Sequence, residues 1–96
     1  MSKCKFKLTG SYKVAVGIVE DHRHGVQMVD FQSNTAEAEV LSGGLAWFTL
    51  NASGDMGDRL EISVTTESGR PACPDHSYAF NSKGKIARPF QFNPDA

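Results

Sequence analysis

Residues 45–64, LAWFTLNASGDMGDRLEISV, contain two apolar runs on either side of one turn-forming segment. In the second run Leu60, Ile62 and Val64 alternate with polar residues, and the first run alternates in the same way. A repeat of two with β-branched and aromatic residues is typical of a half-buried strand. Residues 51–58 are rich in glycine, aspartate, asparagine and serine, which favour turns. The stretch therefore predicts two core strands joined by a hairpin or a corner.

Residues 11–20 give the longest remaining strand pattern. Tyr12, Val14, Val16 and Ile18 lie on one side, and the other side carries small, only partly polar residues. Such a strand is expected near the centre of a sheet, with Tyr12 towards the core. A glycine inside a strand indicates a bulge or a close approach of another group to the backbone, so Gly17 marks one of these.

Three other segments are also interpreted as strands. Residues 26–32 lose their alternation in the middle, which predicts a bulge near Met28. Residues 33–44 favour an edge strand, and a short helix is the alternative because an N-terminal capping pattern is present. Residues 85–92 contain Pro89, which lacks a ladder donor and predicts an edge strand or a bulge.

These patterns predict seven or eight short strands and almost no helix, which is typical of a sandwich or a barrel. We therefore expect one all-β domain over residues 1–96, a small antiparallel β-sandwich that is immunoglobulin-like in general architecture. A closed β-barrel is the alternative. Ninety-six residues are enough to bury one core without metals or disulfides.

Composition narrows the classes of partner. The formal net charge is −1, so no global field attracts nucleic acid, and no apolar run approaches the length of a membrane span. No apolar leader is visible at the start, which predicts a cytoplasmic protein and leaves secretion with a removed leader open. Cys4 and Cys73 are expected to be free thiols in a reducing compartment, and a disulfide between them remains the alternative.

Lysines occupy one side of the first strand, at Lys3, Lys5 and Lys7. A row of charges at this spacing can follow a phosphate backbone. Single-strand binding also requires exposed aromatic rings, and Phe6 and Tyr12 are expected to face the core. We therefore predict a charge-protected edge strand that does not bind nucleic acid.

Oxygen-bearing side chains cluster within the central turn, residues 51–58, which is a pattern that calcium accepts. The same residues favour an ordinary solvated turn, in which their side chains bond their own backbone. The candidate calcium ligands are Asn51, Ser53, Asp55 and Asp58.

Two polar segments carry nitrogen and sulfur ligands suited to zinc. A His-x-His pair lies in residues 21–25, and a Cys-x-x-His pair lies in residues 67–77. The two segments are far apart in sequence, and histidines in polar loops are usually exposed to solvent. The candidate zinc ligands are His22, His24, Cys73 and His76.

Trp47 is the only tryptophan and alternates with Phe48 and Leu50. If those two residues face the core, Trp47 faces outward, where an indole can anchor a protein interface or stack on a sugar. If the strand is reversed, Trp47 belongs to the core. Both orientations remain open from the sequence, and Trp47 is the candidate contact residue for a ligand or partner.

No nucleophile, acid–base pair or phosphate loop of recognisable spacing is present, so we expect a non-catalytic protein-interaction module that needs no cofactor. Its expected partner is another protein or a second copy of the chain. A small carbohydrate-binding module, with Trp47 and the calcium loop, is the first alternative. A zinc-dependent protein is the second.

Overall fold

The computed structural model describes residues Met1–Ala96 and contains eight strands and no helix. The fold therefore contains no helix that is long and apolar enough to cross a membrane. The strands are β1 (Ser2–Gly10), β2 (Val14–Glu20), β3 (Val26–Asp30), β4 (Thr35–Val40), β5 (Ala46–Ser53), β6 (Arg59–Thr65), β7 (His76–Ala79) and β8 (Lys85–Phe92).

The strands form two four-stranded antiparallel sheets that pack face to face. Sheet A has the order β4-β1-β6-β7, and sheet B has the order β3-β2-β5-β8. The predicted β-sandwich is confirmed, and the two sheets do not close into a barrel. The strands are divided differently from an immunoglobulin constant domain, in which the first, second, fourth and fifth strands share a sheet. Here β1 and β4 lie in one sheet, and β2 and β5 lie in the other.

Residues 45–64 form a corner, not a hairpin, because β5 belongs to sheet B and β6 to sheet A. Gly57 allows the chain to reverse between them, with a φ of 86° that favours glycine. Residues 81–84 likewise connect β7 to β8 across the two sheets. The amide of Gly54 in the first corner donates to the carbonyl of Gly84 in the second, which ties the two corners together.

Phenylalanine side chains from both sheets meet in the core. Phe6 of β1 stacks on Phe48 of β5, with ring centroids 4.5 Å apart. Phe92 meets the edge of Phe6 at 5.5 Å, and Phe90 lies 5.4 Å from Phe48. Offset and edge-on pairs of this kind are favourable beyond the apolar area they bury.

Phe48 also sets the orientation of β2. A side-chain carbon placed on Gly17 would lie 2.5 Å from Cε2 of Phe48, so only glycine leaves room for the ring. The predicted close approach at Gly17 is confirmed. Ala15 and Val19 consequently face the core together with Gly17, and the larger side of β2 faces outward.

Two of the three strands predicted to lie at a sheet edge do so, and one does not. β4 is a strand at the edge of sheet A, and β8 is at the edge of sheet B, as expected for residues 33–44 and 85–92. β1 lies between β4 and β6, so the lysine-bearing strand is not an edge strand. β3 pairs with β2 in continuous register from Val26 to Asp30, and the bulge predicted near Met28 is absent.

We expect Ile62→Ala to reduce the free energy of unfolding by about 2–5 kcal/mol, since Ile62 of β6 is fully buried. Urea denaturation at low protein concentration measures the change. Ile18→Ala is the matched control, because Ile18 is an isoleucine of β2 that faces outward and is only half-buried. A loss at Ile62 no larger than the loss at Ile18 would contradict the assignment of β6 to the core.

Candidate functional site

The outer face of sheet B is unusually apolar for a surface. Side chains alternate along each strand, so every second residue of β2, β3, β5 and β8 points away from the core. We call this surface the apolar face. Its apolar members are Val14, Val16, Ile18, Val26, Met28, Trp47, Ala87 and Pro89.

The strand register makes these side chains neighbours. Ile18 lies directly across from Met28 on one side and from Thr49 on the other. Val14 and Val26 are each 62% exposed, Met28 is 69% exposed, and Trp47 is 43% exposed. Single exposed apolar residues are ordinary, whereas a contiguous patch across several strands is typical of an interaction surface.

Charged side chains are few on the apolar face. Glu20 and Asp30 lie at one side of it, on β2 and β3, and Lys85 lies at the opposite side, on β8. The remaining outward positions of β5 and β8 carry uncharged polar side chains. Most of the face therefore carries no charge that a partner surface would have to desolvate.

The outer face of sheet A is charged. Lys3 forms an ion pair with Glu37 of β4, with the Nζ and Oε2 atoms 3.2 Å apart. The hydrogen bond from Lys3 to Glu37 and the charge of that carboxylate raise the pKa of Lys3. Lys5 lies across from Glu37 in the register, and Lys3 lies across from Glu39. Acidic residues of β4 therefore lie beside the lysines of β1, and this surface carries charges of both signs.

Trp47 faces outward, because Ala46 and Phe48 on either side of it are fully buried. Its neighbours across the strands are Glu20 on β2 and Gln91 on β8. The indole therefore lies on the apolar face, beside two side chains that can form hydrogen bonds.

The candidate calcium ligands are divided between a strand and the turn after it. Asn51 and Ser53 lie on the outer side of β5. Asp55 forms an ion pair with Lys13, with Oδ1 and Nζ 3.4 Å apart, and both line a small cavity of about 70 Å³ with Asp58. A lysine ammonium beside Asp55 already supplies positive charge at the place where a cation would bind.

His22 and His24 occupy the turn between β2 and β3. Asp21 fixes this turn, since its Oδ1 accepts hydrogen bonds from the amides of Arg23 and Gly25, each at 2.9 Å. The bond from Gly25 is the main reason that the pKa of Asp21 is lowered. Nδ1 of His24 lies 3.6 Å from Glu20.

The structure does not bring the four candidate zinc ligands together. The ring of His22 packs over Gly44, whereas His76 on β7 stacks on Phe90 with centroids 4.3 Å apart. No group of three or more histidine, cysteine, aspartate or glutamate side chains is close enough to hold a metal ion.

Both cysteines are free, and Cys4 is buried. Burial is the main cause that raises the pKa of Cys4 to about 11, with a smaller contribution from Asp95. Burial also raises the pKa of Cys73 to about 11, assisted by the charge of Asp75. A thiol with such a pKa is protonated at neutral pH and is a poor nucleophile.

Sequence reasoning located Trp47 and missed the apolar residues around it. In residues 11–20 the side with Tyr12 was expected to face the core, and this is wrong for Val14, Val16 and Ile18. Both sides of the segment are apolar, so alternation alone did not show which side is buried. The informative signal was Gly17, whose missing side chain indicated the crowded side of the strand.

Comparison with protein-family models, with curated proteins and with solved structures finds no match for this chain.

Proposed function

We propose that this protein is a non-catalytic interaction module, and that the apolar face pairs with the same face of a second copy of the chain. The observation that carries the proposal is the difference between the two outer faces of the sandwich. The face of sheet A carries charges of both signs, including the Lys3–Glu37 ion pair, whereas the face of sheet B exposes Val14, Val26, Met28 and Trp47. Water contact with a contiguous apolar surface is unfavourable, and association removes it.

The size of the face supports a reversible dimer. Four strands about 4.8 Å apart, each with about seven residues that rise about 3.4 Å, give a flat footprint of about 400 Å². Side chains that stand on a pleated sheet expose more area than this footprint. Stable interfaces bury about 800 Å² on each partner, so this dimer belongs at the weak end of specific complexes.

The positions of the charges support a symmetric pair. A two-fold axis parallel to the strands lays β3 of one copy over β8 of the other. Asp30 of β3, Val16, Asn51 and Ala87 of β8 form one row across the sheet. Lys85 lies two residues from Ala87 along β8. Asp30 of each copy is thereby near Lys85 of the partner subunit, and the symmetry forms this contact twice.

We expect sedimentation-velocity measurements between about 10 and 500 µM protein to show a monomer–dimer equilibrium, with a dissociation constant of about 10–100 µM. Met28→Lys places an ammonium in the proposed interface and should weaken dimerisation at least about tenfold. Met56→Lys is the matched control, because Met56 is also 69% exposed and lies in the corner between β5 and β6. A monomer at every concentration, or equal effects of the two substitutions, would contradict the proposal.

The second candidate function is carbohydrate binding, and the surroundings of Trp47 favour it. An exposed indole can stack on the apolar side of a sugar ring. Glu20 and Gln91 flank Trp47 in the register and can accept or donate hydrogen bonds to sugar hydroxyls. The same residues lie inside the proposed dimer interface, so the two functions compete for one surface.

Fluorescence of Trp47 distinguishes the two functions, because no other tryptophan contributes. Dimerisation should shift the emission to shorter wavelength and reduce iodide quenching as protein concentration rises, since the indole leaves water. Titration with common monosaccharides should leave the spectrum unchanged. A sugar-dependent blue shift at a concentration where the protein is monomeric would instead favour carbohydrate binding.

A further inference from the structure

The two sides of the sandwich are closed to different extents. On one side β3 leads directly into β4, and Nε2 of Gln27 donates a 2.8 Å hydrogen bond to the carbonyl of Glu39. On the other side β7 leads into β8, and these two strands are the remaining edges of sheets A and B. A cleft of about 440 Å³ lies there. Its lining residues are Arg59, Ser77, Tyr78, Ala79, Asn81, Lys85, Ile86, Ala87 and Arg88.

The cleft is positively charged. Arg59, Lys85 and Arg88 line it, and none of its lining residues is acidic. The ion pairs of the protein involve Lys3, Lys13 and His24. The side chains of Arg59, Lys85 and Arg88 therefore have no carboxylate partner within 4 Å. Like charges gathered in one concave site attract anions.

Contacts with neighbouring residues hold the guanidinium groups of Arg59 and Arg88 in place. Nε of Arg59 donates to Oγ of Ser77 at 3.2 Å, and its Nη2 donates to the Ser77 carbonyl at 3.3 Å. Cζ of Arg88 lies 5.4 Å from the centre of the Tyr78 ring, which is within the range of a cation–π contact. Each guanidinium has five N–H donors, so these contacts leave donors free towards the cleft.

The uncharged polar side chains of the cleft also keep hydrogen-bond donors that no protein group uses. Oδ1 of Asn81 accepts from the amides of Lys83 and Lys85 at 2.9 and 3.0 Å, which leaves the side-chain NH₂ of Asn81 free. Oγ of Ser77 accepts from Arg59, and its own hydrogen remains available. Burial raises the pKa of Tyr78 despite the opposing charge of Arg88, so the phenol keeps its proton at neutral pH.

We propose that the cleft between β7 and β8 binds a small organic molecule that carries a phosphate or sulfate group. Charged and neutral donors converge on a site whose side chains offer few acceptors, and a tetrahedral oxyanion satisfies such a set. The volume is within the range of small-molecule sites and exceeds what one inorganic oxyanion fills. Ala79, Ile86 and Ala87 provide apolar contacts for the organic part of the ligand.

The cleft shares Lys85 and Ala87 with the apolar face, whereas Arg59 and Arg88 lie outside that face. The donors of β6 and β7 lie in sheet A, and of the three cations only Lys85 also belongs to the outer face of sheet B. A protein that remains monomeric can therefore still bind an anion in the cleft, and a dimer can fail to bind one.

The test is a titration of ¹⁵N-labelled protein with phenyl phosphate and, in parallel, phenyl sulfate, followed by two-dimensional NMR. We expect saturable shifts in β7 and β8, with a dissociation constant of about 1 mM or tighter for at least one probe. Arg59→Gln and Arg88→Gln should each weaken binding at least about tenfold, since a charge-assisted hydrogen bond is lost. The tighter probe identifies the head group.

Lys83→Gln is the matched control, because it removes the same charge from the adjacent turn and Lys83 does not line the cleft. It should change the affinity less than about twofold, and the spectra themselves show whether each variant is folded. Three results would overturn the proposal: no saturation with either probe at about 20 mM, unchanged affinity in both arginine variants, or an equal loss in Lys83→Gln.

Discussion

The contact between Phe48 and the backbone of Gly17 determines which side of β2 faces the core. Phe48 stacks on Phe6 across the two sheets and extends over β2 at a point where any side-chain carbon would collide with it. Gly17 therefore faces inward, and the period of two carries Val16 and Ile18 outward. The apolar face, on which the proposed function rests, follows from this one packing constraint.

The sequence predicted where most strands lie but not how they are oriented and connected. Alternation located the longer strands, because half-buried strands repeat every two residues, and it did not locate the four-residue β7. It oriented residues 14–18 wrongly, because both sides of that segment are apolar and the smaller side is the buried one. Phe48 fills the space that the larger side chains would need. Turn composition could not distinguish a hairpin from a corner at residues 51–58, since both need the same residues. The cleft of Arg59 and Arg88 could not be predicted, because its residues come from separate strands of two sheets.

The fold presents three surfaces with different chemistry, and the cleft shares Lys85 and Ala87 with the outer face of sheet B. The outer face of sheet A carries charges of both signs, including the ion pair of Lys3 and Glu37. The outer face of sheet B is apolar and accounts for the proposed dimer. The open side between β7 and β8 presents unpaired cations to a small anion. An eight-stranded sandwich can present two binding surfaces at once, because the core needs only the inner side of each sheet.

The substitution Gly17→Ala tests the orientation of β2 most directly, because only the inward orientation predicts a loss of stability. If Gly17 faces the core against Phe48, an added methyl group overpacks the core, and the free energy of unfolding should fall by about 1–3 kcal/mol in urea denaturation. If Gly17 faced outward, the substitution would be neutral or would stabilise the protein by about 0.4–1 kcal/mol, through the lower entropy of the unfolded chain. An unchanged or increased stability would contradict the packing described here, and with it the apolar face.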